Sequence, residues 1–198
     1  MLTALLILTA YILGSVPFAV VTSWIFKLPD PRSYGSGNPG ATNVLRTGQK
    51  GAAILTLAGD AGKGWLAIVL ARYFTTPGEE GAILIAGMML AVFIGHLYPI
   101  FLKFRGGKGV ATAAGVLLGL NPWLGLITAL TWIIVALLSR FSSLAALSSA
   151  LLAPLYTYWL LQDSILTTTT LIISTLLIIR HRSNITNLLA GKETRIGK

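Results

Sequence analysis

The sequence predicts an all-α integral membrane protein with about seven transmembrane helices, and three observations carry that reading. Of its 198 residues 55% are hydrophobic and only 11% charged, whereas soluble domains carry about 25% charged residues. The apolar residues gather into runs near the length of about 20 that a bilayer crossing needs. The basic residues alternate with those runs, falling in every second loop. A single membrane domain over residues 1–198 is expected. There is no cysteine, which excludes disulfides and thiolate nucleophiles.

The first run, 2–26, has no basic segment ahead of it and is too long for a signal peptide core. It reads as a retained span with a kink at Pro17. The runs 51–74 and 81–102 follow, the former containing Asp60 and Lys63. The run 110–120 is short, about 17 Å of helix at 1.5 Å per residue, against about 30 Å of hydrocarbon. Asn121-Pro122 ends it, and 123–139, 144–161 and 165–179 complete the set. The short run either crosses a thinned bilayer or forms a re-entrant hairpin with its successor. Both options keep the sidedness of the loops, and seven crossings are preferred.

Loop 27–50 holds Lys27, Arg32, Arg46 and Lys50, and loop 103–109 holds Lys103, Arg105 and Lys108. Loop 139–143 holds Arg140, and the tail 180–198 holds Arg180, Arg182, Lys192, Arg195 and Lys198. The intervening loops carry Glu79, Glu80 and Asp163 and no base. Lys63 lies inside a helix, and Arg72 near a helix end, where it can snorkel. The positive-inside rule puts the basic loops and the C-terminus in the cytoplasm and the N-terminus outside. The formal charge of +9 is thus first a topology signal.

Two glycine-rich loops on the basic face invite a functional reading. The stretch Gly35-Ser36-Gly37-Asn38-Pro39-Gly40-Ala41-Thr42-Asn43-Val44-Leu45-Arg46 is polar and dense in turn formers. Its glycines allow backbone N–H groups to converge on an anion, and Arg46 adds a bidentate charge. Thr42 or Asn43 is expected to cap a helix that starts there. The second loop, Arg105-Gly106-Gly107-Lys108-Gly109, permits close backbone approach and offers Lys108 as a point charge. Neither loop is a Walker A motif.

Asp60 and Lys63 share a helix face at three-residue spacing, and a charged pair at that depth is costly. It serves either chemistry or the fold, and Gly59, Gly62 and Gly64 are expected to allow close helix packing. His96 and His181 are candidate general bases or structural hydrogen-bonders. Two histidines and six carboxylates make a multi-ligand metal site unexpected. No base-reading nucleic-acid motif is present.

These segments resemble the bacterial acyl-phosphate-dependent glycerol-3-phosphate acyltransferases. Gly35–Asn43 with Arg46 is similar to the family's first loop signature, and Asp60 with Lys63-Gly64 to its second-helix motif. His96, Pro99 and Phe101, followed by Gly106-Gly107-Lys108-Gly109-Val110-Ala111-Thr112, resemble the second loop signature. His181-Arg182, Asn184-Ile185, Leu188, Gly191 and Glu193 resemble the third. Asn187 stands where the family usually has arginine, which puts one basic contact in doubt.

The resemblance implies transfer of a fatty acyl group from acyl phosphate to the sn-1 hydroxyl of glycerol 3-phosphate. The products would be lysophosphatidate and phosphate, in the first acylation of phospholipid synthesis, at a bacterial inner membrane with the site facing the cytoplasm. It implies direct transfer, without cofactor or metal. Arg46, Lys108, His181 and Asn184 would hold glycerol 3-phosphate. Ser36, Asn38 and the amides of Gly37–Thr42, Gly40 among them, would meet the acyl phosphate, and Ser143 would contribute. The proton of the hydroxyl would pass to a substrate phosphate or to His181. Asp60, Lys63, His96 and Glu193 would support the site. No residue pattern asks for more than a monomer. A phosphate-ester transporter would need broken helices near the midplane and usually an internal repeat, and no repeat is visible. A lipid-binding assembly protein would leave the dense Asn, Ser and Gly content unexplained.

Overall fold

The computed structural model describes residues 1–196, and all its regular secondary structure is helical. Lys198, counted with the basic tail, lies outside the described residues. All seven apolar runs are helical, and Pro17 divides the first. The helices are α1 (Leu2–Ser15), α2 (Phe18–Ile25), α3 (Ala41–Leu45), α4 (Lys50–Tyr73), α5 (Glu79–Leu97), α6 (Val110–Leu120), α7 (Pro122–Ser139), α8 (Ser142–Leu161), α9 (Ser164–Arg180) and α10 (Arg182–Leu189). Four stretches, α4, α5 with the 3-10 turn that follows it (Glu79–Leu102), α7 and α8, are each long and apolar enough to cross a membrane. The bent pairs α1–α2 (43°) and α9–α10 (58°) also pass when each is taken together. The short helices α3 and α10 are too brief to leave an apolar period in the sequence.

Local chemistry sets the boundaries. Asn121 accepts hydrogen bonds from the amides of Trp123 and Leu124, and Pro122 takes the first helical position, so α7 starts there. Asp163 caps α9 through the amide of Leu166 at 2.9 Å. The guanidinium of Arg72 donates to the carbonyl of Leu120, satisfying an orphan acceptor at the end of α6.

In a bilayer every backbone polar group must be satisfied within the protein, and helices are held together by close packing. Helix α5 is the centre of that packing, with Met88, Met89, Val92, Phe93 and Leu97 wholly buried. Helices α4 and α6 touch backbone to backbone. A Cβ on Gly64 would lie 2.3 Å from the Thr112 carbonyl, and one on Gly115 1.8 Å from that of Ala61. Gly59 is pressed by the Phe18 ring, whereas Gly62 faces open space and has no packing role.

These contacts place the short helix against α4. α6 begins level with Ala61–Gly64, roughly 15–20 Å along α4 from Lys50 at 1.5 Å per residue. It ends within reach of Arg72, near the other end of α4. The loop before it therefore dips into the protein, and the 11 residues of α6 run along the remainder of α4. That loop sits beside the interior rather than at the rim.

Candidate active site

The dipping loop, the Gly35–Arg46 segment, the start of α8 and the α9–α10 junction enclose one chamber of about 960 Å³. Its mouth is polar, lined by Ser36, Asn38, Gly40, Thr42, Asn43, Arg46, Lys108, Gly109, Ser143, His181, Asn184 and Glu193. Its interior is largely apolar and runs between α6, α7, α8 and α9. On α8 the lining extends from Ser143 to Ala153, about 15 Å at 1.5 Å per residue. Ile54 and Leu57 on α4 and Ile133 on α7 belong both to this wall and to the exposed surface. The chamber thus opens sideways between α4 and α7.

Asn43 braces the first loop. Its Oδ1 accepts from the Ser36 amide at 3.0 Å, and its Nδ2 donates to the carbonyls of Pro31 and Tyr34 at 2.7 and 3.2 Å. Gly35 turns beneath it at φ 57°, where a Cβ would stand 2.3 Å from Asn43 Oδ1. Neither Thr42 nor Asn43 caps α3, contrary to expectation. The N-cap is Gly40, without a side-chain bond, and Asn43 is spent on the loop instead. Thr42 pairs with Ser142 at 3.1 Å. The amides of Gly40, Ala41 and Thr42 have no acceptor among the described residues. The amide of Gly37 is used, donating to Tyr34. Arg46 makes no side-chain hydrogen bond among the described residues and borders the chamber.

The second loop is built differently. The amides of Gly106 and Gly107 donate to the carbonyls of Leu97 and His96 at 3.1 and 3.2 Å. They do not point at an anion. These glycines exist for close approach: a Cβ on Gly106 would lie 2.1 Å from the His96 carbonyl, and one on Gly107 2.3 Å from His96 Nε2. The loop presents Lys108, followed by the uncapped start of α6 at Gly109.

Lys108 Nζ donates to Asn184 Oδ1 at 2.5 Å. Asn184 Nδ2 donates to Glu193 Oε1 at 2.7 Å, and Ser143 Oγ donates to the same oxygen at 2.6 Å. Burial pushes the Lys108 ammonium below its usual range, while the Glu193 carboxylate opposes that shift. His181 is buried, and its Nδ1 lies 2.8 Å from the Leu177 carbonyl. A carbonyl only accepts, so Nδ1 carries the hydrogen and Nε2 of the neutral ring is an acceptor. Burial lowers this histidine to about 4, opposed by the Leu177 hydrogen bond, so it is neutral at pH 7.

Of the residues singled out from the sequence, Asp60 and His96 border the chamber, and Lys63 lies behind them. Gly106 and Gly107 lie behind Lys108 rather than in the wall. Asn187, where the resemblance departs, is exposed and away from the chamber. Two contributors escaped sequence reasoning. Arg180 donates to the carbonyls of Gly106 and Gly107 at 3.0 and 3.1 Å, but in the sequence it looks like one more topology cation. Ser142 pairs with Thr42 across 100 positions, which only the fold brings together.

The model of the family Glycerol-3-phosphate acyltransferase matches residues 4–191. The glycerol-3-phosphate acyltransferase of Nitrosomonas eutropha is 70% identical over 198 residues, covering 100% of this chain and 99% of that protein. That of Nitrosomonas europaea is 67% identical over the same length and shares. The crystal structure of PlsY, an integral membrane glycerol 3-phosphate acyltransferase, superposes in its glycerol 3-phosphate form with a TM-score of 0.91 at 36% identity. Its lysophosphatidic acid form does so at 0.90 and 34%, both covering 100% of this chain and 96% of that one. With residues of each signature lining one chamber of a helical membrane protein, the chain belongs to the glycerol-3-phosphate acyltransferase family.

Proposed function

We propose that this protein transfers a fatty acyl group from acyl phosphate to the sn-1 hydroxyl of glycerol 3-phosphate, yielding 1-acylglycerol 3-phosphate and phosphate. The observation that carries the reading is the shape and charge of the chamber. The uncapped starts of α3, α6 and α8 and the cations Arg46 and Lys108 meet at its mouth. Free amides at helix starts and fixed cations favour phosphate. The apolar interior, open to lipid between α4 and α7, suits an acyl tail. The basic face is cytoplasmic in this reading, at a bacterial inner membrane.

Lys108, Arg46, His181 and Asn184 hold glycerol 3-phosphate. Ser36, Asn38 and the amides of Gly40–Thr42 meet the acyl phosphate and its carbonyl oxygen. Ser143 and Glu193 fix Asn184 and, through it, Lys108. Acyl phosphate is already activated, so orientation and relief of anion repulsion suffice. The glycerol hydroxyl oxygen attacks the acyl carbon, the carbon–oxygen bond to phosphate breaks, and phosphate leaves with the electron pair. A base near 4 is weaker than a phosphate oxygen, whose second pKa is roughly 6. The hydroxyl proton therefore goes to substrate phosphate, while His181 Nε2 accepts a hydrogen bond and orients the hydroxyl.

Purified protein given acyl phosphate and glycerol 3-phosphate, with no thioester present, should release phosphate and form the monoacyl product. Folded protein that releases none would overturn the donor assignment.

A further inference from the structure

We propose that Asp60, Lys63 and His96 form a buried positioning network that fixes the Gly106–Lys108 loop for glycerol 3-phosphate, an inference that rests on Lys108 holding that substrate. All three side chains are buried within the bundle, where charges are expensive and mark function by default. Lys63 Nζ lies 2.8 Å from Asp60 Oδ1 and donates to the Val16 carbonyl at 2.9 Å. Val16 is the break between α1 and α2, so the ammonium ties that break to α4. His96 Nδ1 lies 3.4 Å from the same Asp60 oxygen. The far side of the imidazole rests on Gly107, with room for a glycine and nothing larger.

The chain of contacts then reaches the loop. The His96 and Leu97 carbonyls take the Gly107 and Gly106 amides, and Arg180 takes the carbonyls of the same two glycines. The segment before Lys108 is gripped on both edges. The grip on the α5 edge depends on where His96 stands, and Asp60 and Lys63 hold it there. A small cavity of about 10 Å³ touches Asp60, Lys63, His96, Pro39, Gly106 and Gly107. It is sized for about one water. Asp60 and His96 also border the main chamber, so the network is the partition between the two. Lys63 is behind that partition and acts only through its neighbours.

A role confined to folding would lower stability and leave the two substrates equally served. A positioning role predicts an unequal effect, because the loop carries Lys108 while the acyl tail binds elsewhere. The test uses the full-length protein in nanodiscs, with thermal unfolding, equilibrium binding of glycerol 3-phosphate and steady-state kinetics for both substrates. Either charge alone would be stranded by a single substitution, so the principal variant is the double Asp60→Asn/Lys63→Met. It should bind glycerol 3-phosphate about 10-fold more weakly, about the effect of one lost polar contact. Its KM for that substrate should rise in parallel, with KM for acyl phosphate nearly unchanged. His96→Gln introduces no buried charge and should show the same split, so the test survives if the double variant does not fold. Folded variants that bind glycerol 3-phosphate as tightly as the wild type, or lose both substrates equally, would overturn the network. Wild-type protein that fails to bind glycerol 3-phosphate would instead sink the substrate reading, and the network's role with it.

Discussion

Gly35–Arg46 and Arg105–Gly109 look alike as strings of glycine ending near a base, yet they serve opposite ends. The first loop keeps the amides of Gly40, Ala41 and Thr42 free and braces itself from within, through Asn43. The second gives its Gly106 and Gly107 amides to α5 and its carbonyls to Arg180, and offers one side chain, Lys108. One is a backbone cradle and the other a rigid arm for a charge. Glycine content alone does not distinguish them, because close approach and free amides both call for a missing Cβ.

Substitutions that break each loop in its own way should separate the two roles. The largest effect is expected at the arm. Lys108→Met should lower kcat/KM at least ~100-fold, the scale of losing one preorganised charge contact, with folding retained by size-exclusion and thermal assays. A smaller loss would shift the weight to the cradle. Next is the cradle's turn. Gly35→Ala meets both a positive φ and the Asn43 carbonyl oxygen, so activity should fall ~10-fold or more together with thermal stability. Arg46→Lys retains charge and loses the fork, and kcat/KM should drop on the order of 10-fold, as expected for one charge-assisted bond of about 1.5–3 kcal/mol.

The pH dependence sharpens the base assignment. His181 sits near 4 when folded and near 6.5 when unfolded. Between those values the unfolded chain binds the extra proton. Its contribution to stability is thus complete above 6.5 and is lost as pH falls toward about 4. The fall in Tm from pH 7 to pH 4.5 should be smaller in His181→Gln than in the wild type. If a substrate phosphate takes the proton, as proposed, the acidic limb of kcat should stay where it is in that variant. A limb that disappears would make the histidine the base. The smallest effect belongs to Asn187→Arg, which restores the residue usual in the family at an exposed site away from the chamber. A change in kcat/KM beyond about 2-fold there would reveal a contact that the geometry lacks; ordinary surface substitutions stay within ±0.5 kcal/mol.

Much of this was legible in the chain. The seven apolar runs became helices because their length and composition leave the backbone no other way to satisfy itself in lipid. The pairing of Asp60 with Lys63 followed from helical spacing, at 2.8 Å. The signatures named Lys108, Asn184 and Glu193, and only the fold shows that Asn184 links the other two. What stayed hidden was direction. Nothing in Gly106-Gly107 says whether an amide points inward or toward α5, since that depends on where His96 and Leu97 end their helix. Arg180 was hidden by its company, one cation among five in the tail. The brief helix α10 was hidden by its length, while α3 was expected near Thr42 and only its cap differed.

The sideways opening between α4 and α7 bears on how the enzyme counts its substrates. A donor that arrives through that gap is sampled per unit of membrane, as a mole fraction among lipids, while glycerol 3-phosphate arrives from water and is sampled as molarity. Diluting the donor with inert lipid at fixed total volume should therefore slow the reaction as surely as removing it. Adding buffer at a fixed lipid ratio should slow it only through the soluble partner.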